Sequence, residues 1–310
     1  MAKSIAFGAH STADKVLAGI DLTGKRIVVT GCNSGIGFET MNALSANGAQ
    51  VLGLARSLQD AQFACAKAGP LASPIGCDLA DLGSVAAAAE AIRAFGPLDA
   101  VVANAGIANL PALQTRHGIE LQFFVNHIGH FALLNSLQDR VRSGTGRIVI
   151  VSSSASIHLA PPEGIMFDNL DGSRFYKPMP FYAQSKFANA LYARELSRRL
   201  SPRGVTVNSL HPGATRGTGL NKSSSLPLKI ALSAAQVFMR SPAHGAATQA
   251  LLAGSPLADG ISGEYWSNCR IAAGNPLLED TGLAMRLWEV SEDIVARHGA
   301  AASKPLREAA

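Results

Sequence analysis

A tyrosine and a lysine four residues apart form the first pair in this sequence that could do chemistry. Tyr182 and Lys186 open a helical pattern, and this spacing places both side chains on one face of the helix. A free phenol has a pKa of about 10 and is a poor acid or base at neutral pH, but a neighbouring cation favours the phenolate. The pair is a candidate for proton transfer, although such spacing also arises by chance on helix surfaces.

Three hydroxyls follow an apolar strand pattern upstream of this pair. Residues 147–151 have the pattern of a buried strand, and Ser152, Ser153 and Ser154 come directly after it. Open α/β sheets bind ligands at the carboxyl ends of their strands, so a serine there can hold the oxygen of a substrate. The alternative is an ordinary strand-end turn, which is less attractive beside Tyr182 and Lys186.

A glycine-rich turn, TGCNSGIG, lies between a predicted strand and a predicted helix at residues 30–37. Gly31 allows a tight turn, Gly35 lets the backbone approach a phosphate, and Gly37 lets helix and strand pack closely. The spacing differs from the GxGxxG of many dinucleotide folds, and a purely structural turn is the alternative. The residues predicted to bind the cofactor here are Gly31, Asn33, Ser34, Gly35, Ile36 and Gly37.

Arg56 follows the second predicted strand, where an acidic residue would bind a ribose 2′-hydroxyl. A guanidinium suits a 2′-phosphate instead, so the sequence favours NADP(H), with NAD(H) possible. The alternative is an arginine that faces solvent.

Strand and helix patterns alternate along most of the chain. The predicted strands span 26–30, 50–55, 72–76, 98–102, 146–151 and 204–209. The predicted helices span 36–47, 58–68, 82–95, 115–142 and 181–200. Right-handed crossovers between such elements give an α/β protein with a doubly wound parallel sheet, the Rossmann fold.

No linker or compositional break divides the chain, so we predict one domain. It comprises an N-terminal extension at 1–25, a dinucleotide-binding catalytic region at 26–275, and a C-terminal helix and tail at 276–310. The irregular segments 155–180 and 214–240 are predicted to roof the pocket.

The bulk properties exclude several classes of protein. The net charge of +5 comes from scattered lysines and arginines, so nucleic-acid binding is not indicated. No apolar stretch reaches the roughly 18 residues of a membrane span and no signal peptide is present, so a cytoplasmic protein is expected. The apolar stripe at 226–239 favours a lid or core helix over one lying on a membrane.

Metal binding is not predicted. His127 and His130 lie three residues apart without a third ligand, and their apolar neighbours indicate core packing or a subunit interface. The four cysteines form no CxxC pair, which is typical of reduced thiols in a cytosolic protein.

Taken together, the motifs resemble those of the short-chain dehydrogenase/reductase family over roughly residues 20–270. The TGxxxGIG turn, the Ala103–Gly106 turn, Asn126, the strand-end serine, YxxxK and Pro212-Gly213 occur in the family's order. The stretches NHIGHF, FDNL, SKFAN and SGEYW are similar to the retinol-dehydrogenase-like branch, which acts on lipophilic carbonyls and alcohols.

The resemblance implies a catalytic role for four residues. Tyr182 donates or accepts the proton, and Lys186 lowers the pKa of that tyrosine and binds the nicotinamide ribose. Ser153 positions the substrate oxygen, with Ser152 and Ser154 as alternatives, and Asn126 holds a water of the proton relay. The 29 residues from Ser153 to Tyr182 exceed the spacing in many relatives, so the intervening loop is enlarged.

The resemblance also implies further cofactor contacts. Adenine is bound beside Asp78 and Leu79, and its ribose lies over Asn104, Ala105 and Gly106. The loop over the nicotinamide contains Pro212, Gly213 and Thr215.

The resulting expectation is an NADP(H)-dependent oxidoreductase that interconverts a carbonyl and a primary or secondary alcohol on a lipophilic or bulky small molecule. The alternatives are a regulator that senses NADP without turnover, and an NAD-dependent alcohol dehydrogenase. Relatives pair through the helices that correspond to 115–142 and 181–200, so a homodimer or homotetramer is expected.

Overall fold

Strands and helices alternate along the chain in the computed structural model, which describes residues 6–215 and 240–299. The strands are β1 Arg26–Thr30, β2 Gln50–Ala55, β3 Ala72–Gly76, β4 Ala100–Ala103, β5 Thr115–Arg116, β6 Ile119–Glu120, β7 Arg147–Val151, β8 Thr206–His211, β9 Tyr265–Ser267 and β10 Arg270–Ile271. The helices are α1 Ala13–Leu17, α2 Gly35–Ala46, α3 Leu58–Ala68, α4 Leu82–Arg93, α5 (Leu121–Phe123, Phe124–Ile128 and Gly129–Leu137 in succession), α6 Ala155–His158, α7 Pro178–Leu200, α8 Pro242–Gly254 and α9 Thr281–Gly299.

Eight of these strands form one sheet in the order β3-β2-β1-β4-β7-β8-β9-β10. All neighbouring strands are parallel except β10, which runs antiparallel to β9 at the edge. The central strands are rich in valine and isoleucine and buried along nearly their whole length, as expected for a sheet covered on both faces. The predicted doubly wound fold is confirmed, and its strand order reverses between β1 and β4.

Helices cover the two faces of the sheet with separate apolar layers. On one face α4, α5 and α7 bury large side chains such as Phe123, Phe131 and Phe187. On the other, α1, α2 and α8 pack with Met41 and Leu44. Helix α1 lies within the predicted N-terminal extension and packs against α8, so this part of the extension contributes to the core.

The C-terminal helix α9 lies across α5 and α7. Its Trp288 ring is buried, with its centroid 5.1 Å from that of Phe131 and 5.6 Å from that of Tyr192. The guanidinium of Arg199 sits 3.7 Å above the same indole. His127 Nε2 forms a hydrogen bond of 2.9 Å with Ser291 Oγ, which fixes the helix to α5.

The helix predicted over 115–142 is wrong at its start. A hairpin of β5 and β6 occupies that region, turning through His117 and Gly118 with φ of 53° and 74°. Positive φ at both positions suits a two-residue hairpin turn and cannot continue a helix. Helix α5 begins at Leu121, where the Glu120 carboxylate accepts a hydrogen bond from Phe123 N. Its segment Phe124–Ile128 is a π-helical turn.

The two predicted roof segments have different outcomes. Segment 155–180 contains α6, a short 3₁₀ turn at Phe167–Asn169 and the first residues of α7. Most of 214–240, including the predicted helix at 226–239, lies outside the described residues. Among the helices that the structure does describe, none is long and apolar enough to cross a bilayer.

Candidate active site

A cleft of about 910 Å³ opens at the carboxyl ends of the strands, at the point where the strand order reverses. Ligands of doubly wound folds bind in this position. The structure brings together here nearly all the side chains predicted to act. They are Gly31, Asn33, Ser34, Gly35, Ile36, Gly37, Arg56, Asp78, Leu79, Asn104, Ala105, Gly106, Ser152, Ser153, Ser154, Tyr182, Lys186, Pro212, Gly213 and Thr215. Asn126 lies behind the cleft wall and is completely buried.

The glycine turn has the shape of an anion cradle. Gly31 and Gly35 have φ of 71° and 56°, a backbone conformation that favours glycine. A Cβ at Gly37 would collide with the carbonyl oxygen of Gly31. Ser34 begins α2 without capping it by its side chain, and residues 34–37 line the cleft, so the first backbone N–H groups of the helix are left for a ligand. These features fit a dinucleotide pyrophosphate.

The next strand ends supply the rim at this side of the cleft. Arg56 follows β2 and is exposed. The carboxylate of Asp78, after β3, accepts a hydrogen bond of 3.0 Å from Ala80 N, which fixes its orientation. A guanidinium and an oriented carboxylate therefore stand on neighbouring strand ends.

Tyr182 and Ser153 meet at the other end of the cleft. Burial raises the pKa of the Tyr182 phenol, and the nearby Ser153 hydroxyl acts in the opposite direction. Ser153 Oγ also accepts a hydrogen bond of 3.2 Å from Ala155 N. The phenol is thus protonated at neutral pH in the free protein.

The other two serines are placed differently. Ser152 is 1% exposed, and its hydroxyl donates to the Lys186 carbonyl over 2.7 Å, joining the end of β7 to α7. Ser154 is half-buried in the cleft wall. Of the three hydroxyls, only that of Ser153 affects the pKa of the Tyr182 phenol.

Lys186 extends beneath the same part of the cleft. Its Nζ donates a hydrogen bond of 3.1 Å to the Val151 carbonyl, and burial lowers the pKa of the ammonium to about 8. A Cβ at Gly106 would lie 3.2 Å from this nitrogen and 3.0 Å from Asn126 Oδ1. Glycine at 106 therefore leaves the space between the ammonium and the amide open.

Asn126, in the π-helical turn, links three parts of the site. Its Oδ1 accepts a hydrogen bond of 2.8 Å from Ile107 N, and its Nδ2 donates one of 2.9 Å to Ile107 O. The amide nitrogen also donates to Ser185 Oγ over 2.9 Å, and Ser185 Oγ donates to the Tyr182 carbonyl over 2.7 Å. The loop after β4 and the helix that carries Tyr182 are held together through this one side chain.

Sequence reasoning missed two buried polar residues behind the site. Thr30 Oγ1, at the end of β1, accepts hydrogen bonds of 2.9 Å from the backbone N–H groups of Asn104 and Ala105. The same hydroxyl lies 2.9 Å from His130 Nε2. The available signal was a polar residue in the middle of an otherwise apolar helix pattern.

The histidines and cysteines have ordinary surroundings. Within residues 6–215 and 240–299, no three His, Cys, Asp or Glu side chains are grouped as a metal site. Cys32, Cys65, Cys77 and Cys269 are free and buried. His127 and His130 bond to protein groups on different elements.

Comparisons with known proteins agree with this site. A profile of short chain dehydrogenase matches residues 25–166. The chain is 37% identical to WW domain-containing oxidoreductase of Pongo abelii over 302 residues, covering 93% of this chain and 72% of the relative. It is also 37% identical to retinol dehydrogenase 14 of Homo sapiens over 295 residues, covering 88% of this chain and 86% of that protein.

A solved structure shares the fold. The short chain dehydrogenase from Burkholderia cenocepacia J2315, in complex with NADP, superposes with a TM-score of 0.61 at 30% identity, over 79% of this chain and 96% of that one. This chain belongs to the short-chain dehydrogenase/reductase family of oxidoreductases. Its similarity to retinol dehydrogenase confirms the predicted branch.

Proposed function

We propose that this protein is an NADP(H)-dependent oxidoreductase that interconverts a carbonyl and a primary or secondary alcohol on a lipophilic or bulky small molecule, with Tyr182 as acid and base. The observation that carries the proposal is that Ser153, Tyr182 and Lys186 line one cleft together with the glycine turn and Arg56. Carbonyl reduction requires a proton donor and a dinucleotide cradle in a common cavity.

A nicotinamide dinucleotide, when bound, supplies or accepts the hydride. Tyr182 gives its proton to the carbonyl oxygen in reduction and takes one from the hydroxyl in oxidation. Ser153 donates a second hydrogen bond to that oxygen and orients it. In the free protein the phenol carries its proton, which is the form that reduction requires.

Lys186 restores the proton and binds the nicotinamide ribose in this proposal. A pKa of about 8 lets its ammonium lose and regain a proton near neutral pH. Asn126 holds the loop at Ile107 against α7. In this proposal it also holds a water molecule of the proton relay. The proposed cofactor contacts are Gly31, Asn33, Ser34, Gly35, Ile36 and Gly37 for pyrophosphate, Arg56, Asp78, Leu79, Asn104, Ala105 and Gly106 for the adenosine half, and Pro212, Gly213 and Thr215 for the nicotinamide.

Arg56 supports the preference for NADP(H). Its guanidinium is exposed at the end of β2 and available to a 2′-phosphate. The NADP-bound state of the Burkholderia relative agrees with this assignment.

The rim of the cleft supports a lipophilic substrate. Leu159 and Met179 line it and remain 49% and 38% exposed, an arrangement that favours apolar contact with a ligand. Both lie at the ends of the enlarged segment between Ser153 and Tyr182. One relative, retinol dehydrogenase 14, is named for a lipophilic alcohol, which supports the same class of substrate.

The location and assembly of the protein remain predictions. The four free, buried cysteines support a reducing compartment such as the cytoplasm.

The experiment that tests the proposal is a steady-state screen of NADPH and NADH oxidation against bulky aromatic, aliphatic and steroid-like carbonyls. We expect turnover with a higher kcat/KM for NADPH, and a loss of at least about 100-fold in kcat for Tyr182→Phe with NADPH affinity retained. Tyr176→Phe is the matched control, because its hydroxyl bonds Leu110 O outside the cleft lining.

Three results would oppose the proposal. NADPH binding without turnover across the panel would favour the sensor. Higher kcat/KM with NADH would favour an NAD-dependent alcohol dehydrogenase. Equal activity of Tyr182→Phe and wild type would remove the proposed acid and base.

A further inference from the structure

His130 is a completely buried histidine that the proposed reaction does not use. It lies one helical turn after Asn126 on α5, and its two ring nitrogens bond in different directions. Nδ1 is 2.9 Å from the Asn126 carbonyl oxygen, and Nε2 is 2.9 Å from Thr30 Oγ1. The ring therefore spans the space between the π-helical turn and the end of β1.

The partners of the ring determine where its proton lies. A carbonyl oxygen can only accept a hydrogen bond, so Nδ1 must carry the hydrogen. Burial lowers the pKa of His130 to about 4, so the ring is neutral at pH 7 and Nε2 has no hydrogen. Thr30 must then donate its hydroxyl hydrogen to Nε2.

The direction of the Thr30 hydroxyl matters for the cleft. With its hydrogen on His130, its two lone pairs are free to accept from the backbone N–H groups of Asn104 and Ala105, both 2.9 Å away. Every hydrogen-bonding capacity of the hydroxyl is then used. Thr30 directly precedes Gly31, and a Cβ on Gly31 would lie 3.0 Å from Ala105 Cα, so the two cofactor turns are in close contact.

We propose that His130 is a positioning residue that orients the Thr30 hydroxyl through one nitrogen and holds the Asn126 carbonyl through the other. It thereby aligns the two dinucleotide turns with the helix segment that carries Asn126. The inference rests on the proposed function only for its effect on dinucleotide affinity and turnover. The tautomer and the two hydrogen bonds are properties of the free protein.

Two substitutions separate the two bonds, because an asparagine amide reaches the place of Nδ1 and a glutamine amide reaches the place of Nε2. His130→Asn keeps the bond to the Asn126 carbonyl and loses Thr30. His130→Gln keeps Thr30 and loses the carbonyl. His127→Asn and His127→Gln are matched controls, since His127 is equally buried on the same helix but bonds Ser291 on α9.

The test combines binding, kinetics and spectroscopy on the full chain. By titration calorimetry with NADPH in the absence of substrate, we expect His130→Asn to weaken affinity about tenfold, the loss of one buried hydrogen bond. We expect His130→Gln to bind within about twofold of wild type but to lose about tenfold in kcat. The His127 variants should match wild type in both measurements. A long-range ¹H–¹⁵N spectrum of the free wild type should show His130 protonated at Nδ1.

The outcomes decide between this role and simple core packing. A tautomer protonated at Nε2 would overturn the inference whatever the enzyme does. Equal losses in the His130 and His127 variants, or none in either, would also overturn it. Failure of wild type to bind NADPH or NADH would refute the proposed function, and the tautomer would then decide the inference alone.

Discussion

At the scale of single residues, the site depends on which of three adjacent hydroxyls faces the phenol. The Ser153 hydroxyl lowers the pKa of the Tyr182 phenol, whereas the Ser152 hydroxyl donates a hydrogen bond to the Lys186 carbonyl. The sequence indicated a serine at this strand end but left all three possible, because a strand-end turn fixes side-chain directions only when it is folded.

Alanine substitutions separate these hydroxyls. Ser153→Ala should lower kcat by about 10- to 100-fold, because it removes the hydrogen bond to the reacting oxygen. Its thermal midpoint should change only slightly, through loss of the bond from Ala155 N. Ser152→Ala should instead lower the free energy of unfolding by about 0.5–1.5 kcal/mol, since the side-chain hydrogen bond that joins the end of β7 to α7 is lost. Kinetics and urea unfolding measure the two effects. A kcat loss confined to Ser152→Ala or Ser154→Ala would reassign the role.

Buried histidines should make the fold sensitive to mild acid. Burial lowers the pKa of His127 to about 3 and that of His130 to about 4, below the ordinary 6.5 of the unfolded chain. Below pH 6.5 the unfolded chain binds protons that the folded chain refuses, so stability falls as the pH drops toward the folded values. Each histidine can contribute a slope of up to about 1.4 kcal/mol per pH unit.

Urea unfolding at several pH values just below 6.5 measures how steeply the free energy of unfolding depends on pH. His127→Gln and His130→Gln should each make it shallower, whatever their effect at pH 7. The buried Glu120, whose pKa is raised by burial, acts with the opposite sign and is unchanged in both variants. Identical slopes in wild type and both variants would contradict this account.

At the scale of elements, sequence periodicity predicted the parallel strands and most of the helices. The helix predicted over 115–142 begins too early. Polar and apolar residues there fit a helical period, but His117 and Gly118 adopt positive φ and close a hairpin. Gly118 was the available signal. The π-helical turn within α5 leaves no mark in the sequence pattern, because its extra residue changes backbone pairing without changing composition.

Partners distant in the chain explain what else was missed. Thr30 and His130 are 100 residues apart, and Asn126 and Ser185 are 59 apart. Motif spacing cannot bring such pairs together before the fold is known. The glycine turn was predictable because its residues are local and meet the cofactor as one segment.

The contact between β1, the turn and α2 gives a test at this scale. Gly37→Ala places a methyl group against the Gly31 carbonyl and the Asn104 amide, so it should cost about 1–3 kcal/mol of stability and abolish tight NADPH binding. Gly282→Ala, in the first turn of α9, places a methyl group 3.3 Å from Asp280 Oδ1 and against no backbone atom, so it should be nearly neutral. Calorimetric melting and titration would detect both effects. Wild-type NADPH affinity in Gly37→Ala would show that this close packing is dispensable.

At the scale of the whole molecule, α9 bears on the expected dimer or tetramer. The dimer or tetramer predicted from the sequence would pair through α5 and α7, and in this chain α9 packs on both. The assembly stays a prediction. While α9 stays in place, it covers the Phe131 and Tyr192 rings, which are then not available to a second copy.

Removing α9 should therefore change both stability and self-association. A chain ending at Asp280 should lose more than the roughly 3–5 kcal/mol expected for Trp288→Ala alone, and should associate through the uncovered aromatic side chains. A chain ending at Gly299, which keeps α9, is the control. Sedimentation at several concentrations gives the readout. Cross-links that join α5 or α7 of two copies of the full chain would contradict the expectation that α9 covers this face.

Because α9 belongs to the same chain as the surface that it covers, it also affects how the protein responds to dilution. A surface covered by a second copy is exposed whenever the concentration falls below the dissociation constant, whereas a tethered helix rebinds at a local concentration that dilution does not change. The support that α5 and α7 give to Asn126 and Tyr182 is then a property of each single chain. Catalysis per molecule should accordingly stay constant at concentrations where assemblies built through that face would fall apart.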